Sequence, residues 1–225
     1  MNLKYTFSAH RLYQPPETPV VFVVDPDASV RNSLEQLIRS VGLQARTAAS
    51  AEEFFRLERA ATASCLLVEL DLPGSSGLEL QRLVADRGDL PIIFMSARTD
   101  IQATVRAMKA GAFEFFTKPV MPDVLLDAIR GALERSDAAL HQLTQIHALQ
   151  ERYESLSRRE REVMGLLVRG RLNKQVGGEL GISEITVKAH RGRMMRKMRA
   201  SSFAELVTMA GSLQVGRGAS MPMAS

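Results

Sequence analysis

Short apolar runs alternate with amphipathic stretches along residues 20–121. Val20-Val21-Phe22-Val23-Val24 is rich in β-branched residues, ends at Asp25, and reads as a strand buried on both faces. Over 27–40, Val30, Leu34, Leu37 and Ile38 recur at helical spacing, Val41 follows, and Gly42 is placed to stop the helix. Residues 43–48 read as a weaker strand. Ser50 is placed to cap a helix through Arg59, with Glu53 completing a capping box. Cys65-Leu66-Leu67-Val68 is the next buried strand. A loop with Pro73, Gly74 and Gly77 follows, then a helix from Leu78 towards Arg87. Residues 91–95 form a fourth strand, 101–110 a helix ended by Gly111, and 113–116 a short fifth strand before Lys118-Pro119.

Five strand–helix repeats predict an α/β fold, a doubly wound five-stranded parallel sheet with helices on both faces. Ligands bind such sheets at the carboxyl ends of the strands. Asp25, Glu69, Ser96 and Lys118 all fall at or just past strand ends, which makes them candidate pocket residues.

From Met121 the pattern stays helical. Leu126, Ile129, Leu133, Leu140 and Leu143 lie on an a/d seam, with Ser136 filling one d position. Ile146, Leu149, Tyr153 and Leu156 continue after a phase shift. This predicts a long helix that leaves the first domain and pairs with a second copy of itself through Leu133, Leu140 and Leu143. The alternative is a single helix packed on its own domain. Four shorter helices follow. Ser157 and Glu160 form a capping box for the first, which runs through Val168 to a stop at Gly170. Asn173 caps a short helix to Leu180, Ser183 caps a longer one over 184–198, and 203–213 is the last.

Charge divides the chain. Residues 156–225 carry 13 Lys/Arg against 5 Asp/Glu, while residues 1–155 carry 16 against 20. A basic, compact C-terminal segment suits a polyanion such as nucleic acid. Cys65 is the sole cysteine, which excludes an internal disulfide and a Cys-based metal cage. His141 and His147 are six residues apart and do not share a helix face, so they suggest no metal site. No apolar run approaches the roughly 18 residues that cross a bilayer. The polar, proline-bearing N-terminus lacks the apolar core of a signal peptide and reads as a disordered lead-in of a cytoplasmic protein.

The short helix, the turn at Gly181-Ile182-Ser183 and the longer basic helix make a helix-turn-helix. The longer helix carries Lys188, His190, Arg191, Arg193, Arg196, Lys197 and Arg199, and has no acid from Ile185 onward. Val187, Met194, Met195 and Met198 suit its core face, leaving the cations outward. Leu156-Ser157-Arg158-Arg159-Glu160-Arg161-Glu162-Val163, Asn173-Lys174-Gln175-Val176 and Ile182-Ser183-Glu184-Ile185-Thr186-Val187-Lys188-Ala189-His190 resemble the LuxR-type DNA-binding domain. With residues 20–121, the whole chain resembles a NarL/FixJ-family response regulator. The resemblance implies a receiver-like domain over 19–122, a linker helix over 123–154 and a DNA-binding domain over 155–214; outside it stand the polar lead-in over 1–18 and a tail of small residues over 215–225 that reads as flexible. It implies that Thr186, Lys188, Ala189 and Arg191 meet DNA, with His190 beside them, and that Lys174 and Arg193 meet phosphates. Lys188 and Arg191 suit guanine edges or phosphate, and the sequence does not choose. Phe203 and Leu206 fall in the family's DNA-bound dimer contact. Gly177-Gly178 departs from the pattern, at about 1 kcal/mol of helix propensity each.

The family's receiver takes a phosphoryl group on an aspartate, with an acidic pair for Mg²⁺, a Ser/Thr, a switch aromatic and a Lys around it. Asp25, Ser96, Phe115 and Lys118 match. Pro26 stands in place of the second acid, although Asp27 follows, and Glu69 stands at the acceptor position. The extra methylene moves the carboxylate by about 1.5 Å, and misplacement on the order of 1 Å can cost about a hundredfold in rate. Three readings stand: Glu69 mimics the phosphorylated aspartate, the pocket is vestigial and controlled by partners, or Asp71 accepts phosphate instead. The expectation is a transcription regulator with a degenerate receiver, which is not an enzyme. It uses no cofactor, with Pro26 speaking against Mg²⁺. Its partners are double-stranded DNA with paired half-sites, a second copy of itself, and a histidine kinase or RNA polymerase, with no membrane. The rivals are a conventional phosphorylated two-component regulator and an interaction adaptor whose helix-turn-helix is idle.

Overall fold

Five β-branched or apolar runs build the first part of the molecule. The computed structural model describes residues 18–58, 62–97, 100–213 and 215. The expected lead-in up to residue 17 and the tail from 216 lie outside the described residues. The chain divides into two compact units between His141 and Gln142.

In the first unit, β1 (Val20–Val24), α1 (Ala28–Ser40), β2 (Gln44–Ala48), α2 (Ala51–Arg56), β3 (Ser64–Glu69), α3 (Gly77–Leu83), β4 (Ile92–Ser96), α4 (Ile101–Lys109) and β5 (Glu114–Thr117) follow in order. The sheet has the order β2-β1-β3-β4-β5 and every pair is parallel. The central strands β1, β3 and β4 are buried along their whole length. Side chains alternate between two cores, as the pleat requires. Phe22, Leu66 and Phe94 join Phe54, Leu80 and Ala107 on one face. Val21, Leu67 and Ile93 join Ile38 of α1 and Ile129 on the other.

Local signals set the helix ends, with some shifts from expectation. Asp27 caps α1 by accepting from the Ser29 N–H. Ser50 caps α2, but the Glu53 carboxylate takes the N–H of Ala49, not that of Ser50. The helix then ends at Arg56, because Leu57 turns extended, and not at Arg59. Ser76 caps α3, which stops at Leu83 and falls short of Arg87. Gly77 starts α3 hard against the sheet: a Cβ there would lie 2.6 Å from the Glu69 carbonyl oxygen and 3.0 Å from the Phe94 ring.

The helix α5 (Pro122–Glu154) spans 33 residues, with proline in its first turn, where the missing N–H costs nothing. Leu125, Leu126, Ile129, Ala132, Leu133 and Ser136 are buried on it. Ser136 Oγ accepts from the Ser64 N–H at 2.9 Å and donates to the Asp89 carbonyl at 2.5 Å. The a/d seam therefore serves the helix's own sheet through Ser136, and Leu133 is withdrawn from the predicted self-pairing seam.

The second unit contains α6 (Arg158–Leu167), α7 (Asn173–Leu180), α8 (Glu184–Met198) and α9 (Phe203–Ser212). The Ser157–Glu160 capping box is present. Leu172, not Asn173, is the cap residue of α7, and the Gln175 side chain accepts its N–H at 2.9 Å. A Cβ on Gly177 would lie 2.7 Å from the Ile182 carbonyl oxygen, so this glycine lets the turn cross α7 closely. Leu156, Val163, Met164, Val176, Val187, Met194, Met198 and Leu206 form the core.

Candidate functional sites

The strand-end pocket is built by four parallel strands that bring the residues at or just past their ends to one edge. Asp25 follows β1, Glu69 ends β3, Ser96 ends β4, and Lys118 follows β5. Lys118 Nζ lies 2.5 Å from Asp25 Oδ2 and 2.6 Å from Glu69 Oε2. The remaining oxygens are held by the backbone. Asp25 Oδ1 accepts the Asp27 N–H at 2.9 Å. Glu69 Oε1 accepts the Leu70 N–H at 2.8 Å and reaches the Asp71 N–H at 3.4 Å. Asp25, Glu69 and Ser96 are all buried. Burial disfavours the Lys118 ammonium, but the hydrogen bonds and charges of Asp25 and Glu69 overcome that and hold its pKa above the ordinary lysine value.

The other predicted pocket residues are set differently. Pro26 contributes only its carbonyl, which accepts from Arg31 at 2.9 Å. The Asp27 Oδ1 oxygen accepts the Ser29 N–H and hydroxyl. Phe115 is half-buried and stacks on Phe94, with ring centroids 6.0 Å apart. Asp71 lies exposed in the loop after β3 and bridges to Ser76.

In the second unit, α8 stands behind the Ser183 cap, whose Oγ accepts the Thr186 N–H and contacts the Thr186 hydroxyl at 2.8 Å. Val187, Met194 and Met198 face the core and fix the helix's rotation. Lys188, Ala189 and Arg193 are exposed, as is Lys174 on α7. Lys188 Nζ lies 3.1 Å from Glu184 one turn earlier.

Three cations or near-cations depart from the outward face expected of them. Arg191 lies one turn past Val187, half-buried, with its guanidinium 5.0 Å above the Phe203 ring. It lines a cleft of about 240 Å³ with Leu167, Leu172 and Asn173. His190 is also half-buried, and its Nδ1 is shielded from solvent. Lys197 turns back onto α6, donating to Glu160 Oε2 at 2.7 Å and to the Ser155 carbonyl at 3.0 Å. Burial opposes the Glu160 charge, but Lys197 and the Ser157 N–H hold its carboxyl below the usual range.

Residues 21–130 match the profile of the response regulator receiver domain, and residues 154–210 that of the luxR family of bacterial regulatory proteins. The chain is a NarL/FixJ-family response regulator. It is 41% identical to the response regulator protein TmoT of Ectopseudomonas mendocina over 94% of this chain and 96% of that one. It is 44% identical to nodulation protein W of Bradyrhizobium diazoefficiens over 87% of each chain. The solved structure of the response regulator StyR superposes with a TM-score of 0.73 at 43% identity, covering 87% of this chain and 99% of that one. The regulator is thus a DNA-binding transcription regulator that pairs a receiver with a LuxR-type helix-turn-helix.

Among the predicted dimer residues, Leu206 is fully buried in its own domain and Leu133 is buried on the receiver, so neither faces a partner. Phe203 packs on the same core beneath Arg191. Leu140 is half-buried, whereas Leu143 on α5 and Val207 on α9 are exposed. Among the described residues no helix is long and apolar enough to cross a membrane. Sequence reasoning missed Ile185, which is 79% exposed on α8. Its position off the Val187–Met194–Met198 stripe was the available signal.

Proposed function

We propose that this regulator works in the cytoplasm without a phosphoryl group, and that the Glu69 carboxylate holds the receiver in its DNA-binding arrangement. The observation that carries this reading is the bridge from Glu69 through Lys118 to Asp25. A glutamate in this position brings a permanent negative charge to the lysine that would otherwise meet a phosphoryl group. The inward stacking of Phe115 on Phe94 supports the same arrangement.

The donor set does not suit Mg²⁺. That ion demands near-octahedral oxygen ligands. Both oxygens of Asp25 and both of Glu69 already accept hydrogen bonds, Pro26 has no side-chain oxygen, and a lysine cation sits between the two acids. No metal-dependent step is assigned to this pocket.

The regulator acts as a homodimer on paired half-sites, using the exposed Leu143 with Leu140 on α5, and Val207 on α9. A histidine kinase is dispensable to this reading, and RNA polymerase is the partner through which a bound regulator acts. Glu69→Gln removes the charge and keeps the shape. It is expected to lower DNA affinity or dimerisation of the full-length protein, read by fluorescence anisotropy and sedimentation. Equal affinity for wild type and Glu69→Gln would leave the pocket without a switching role. Stable labelling of the wild type by a small acyl phosphate with Mg²⁺ would overturn phosphorylation independence itself.

A further inference from the structure

The outward side of α8 carries an apolar ridge that the domain's own packing does not use. Ile185, Ala189 and Gly192 follow each other at steps of four and three residues, so they share one side of the helix. That side lies opposite Val187, Met194 and Met198, which are fully buried. Ile185 is 79% exposed, the most exposed large apolar side chain among the described residues. An isoleucine in the first turn of a helix gains nothing from water, and no core residue covers it. Gly192 adds a second observation. A Cβ built there would meet nothing within 4 Å, so no neighbour in the chain requires a glycine that weakens the helix. Lys188, Arg193 and Arg196 are exposed around the ridge, which is the charge pattern that a phosphate-lined groove complements.

Resting on the DNA-binding reading, which already sets Ala189 against DNA, we propose that Ile185 beside it contacts a thymine 5-methyl group in the major groove, and that Gly192 lets the α8 backbone close on the groove edge. The thymine methyl is the one apolar group that a base edge presents there, and it pairs with small or aliphatic side chains. Arg193 and Arg196 contact phosphates and orient the helix, while the ridge adds sequence preference.

The test uses the full-length protein and a duplex that it selects from a random-sequence pool. Each thymine of that duplex is replaced in turn by deoxyuridine, which removes only the methyl. Loss of one buried methyl is expected to weaken wild-type binding about three- to fivefold at one or more positions in each half-site. Ile185→Ala is expected to bind the thymine duplex more weakly by the same factor, and to lose sensitivity to deoxyuridine at one of those positions. Unchanged affinity of Ile185→Ala, or full methyl sensitivity retained at every thymine, overturns the assignment. Gly192→Ala is expected to raise the melting temperature while weakening binding to thymine and deoxyuridine duplexes alike. Wild-type affinity in that variant overturns the close approach. Failure of the wild type to select any sequence would instead remove the DNA-binding reading on which the assignment rests.

Discussion

Each unit contains a buried glutamate that holds a lysine, and the two pairs have different roles. In the receiver, Glu69 ends a central strand and shares Lys118 with Asp25, so two acids surround one largely buried cation. In the DNA-binding unit, Glu160 is the third residue of α6 and serves the Ser157 cap as well as Lys197. Lys197 keeps 41% of its side chain exposed, while Glu160 keeps only 4%. The first pair lies where an open α/β sheet places its ligand site. The second fastens α8 to the start of α6 and so helps set how the DNA-facing side is presented. Chemical type alone does not separate a site from a strut. Position in the fold does.

The largest expected effect comes from breaking the strut. Glu160→Ala leaves the Ser157 N–H and the partly exposed Lys197 without their carboxylate, and should destabilise the DNA-binding unit by as much as about 3 kcal/mol, the upper end for groups left without their hydrogen-bond partner. Thermal unfolding followed by circular dichroism reads this, and a shift within error would show that Glu160 is no strut. The next effect separates the lysines of α8. Lys188→Ala should cost about 1–3 kcal/mol of specific DNA binding with little change in stability. Lys197→Ala should do the reverse, lowering the melting temperature while leaving the salt dependence of binding nearly unchanged. A loss of salt slope in the Lys197 variant would return that residue to the DNA surface.

Proton linkage sharpens the contrast further, with a smaller effect. The Glu160 pKa is depressed in the fold, so its contribution is present above the unfolded value of 4.5 and is lost as pH falls through the folded value. The Lys118 pKa is raised, so its contribution is present below 10.5 and is lost as pH rises through the folded value. The stability difference between wild type and Glu160→Gln should therefore shrink in acid. That between wild type and Lys118→Met should shrink in alkali. Parallel pH profiles for both differences would erase the distinction. The smallest effect concerns Gly178, where an added Cβ meets nothing within 4 Å. Gly178→Ala should stabilise the unit by up to about 1 kcal/mol, seen as a higher melting temperature.

Much of the pocket was legible because strand ends in a parallel sheet are set by short apolar runs. Asp25, Glu69, Ser96 and Lys118 each stand beside such a run, and the fold brings them together. The DNA-facing surface was less legible. Arg191 and Lys197 read as outward cations by composition, yet each sits beside the buried stripe of α8 within reach of another helix. Arg191 meets Phe203, and Lys197 meets Glu160. Ile185 lies off the core face that Val187, Met194 and Met198 define, so its outward side was legible in the spacing, and its 79% exposure is what the structure adds.

The sequence by itself determined element type and order, because hydrophobic period, caps and glycine stops act over a few residues. It determined the charge division and the odd pocket chemistry at Pro26 and Glu69. Tertiary structure decided which side of each helix is used. The a/d seam of α5 pointed to a second copy, with its own sheet as the alternative. Ser136 settled that choice for the first half of the helix, through hydrogen bonds to Ser64 and Asp89, residues far away in the chain. Leu206 likewise became core and not interface because α9 packs on its own domain. A side chain's period says that it will be buried, but its partner is chosen by contacts between segments distant in sequence, which no local pattern contains.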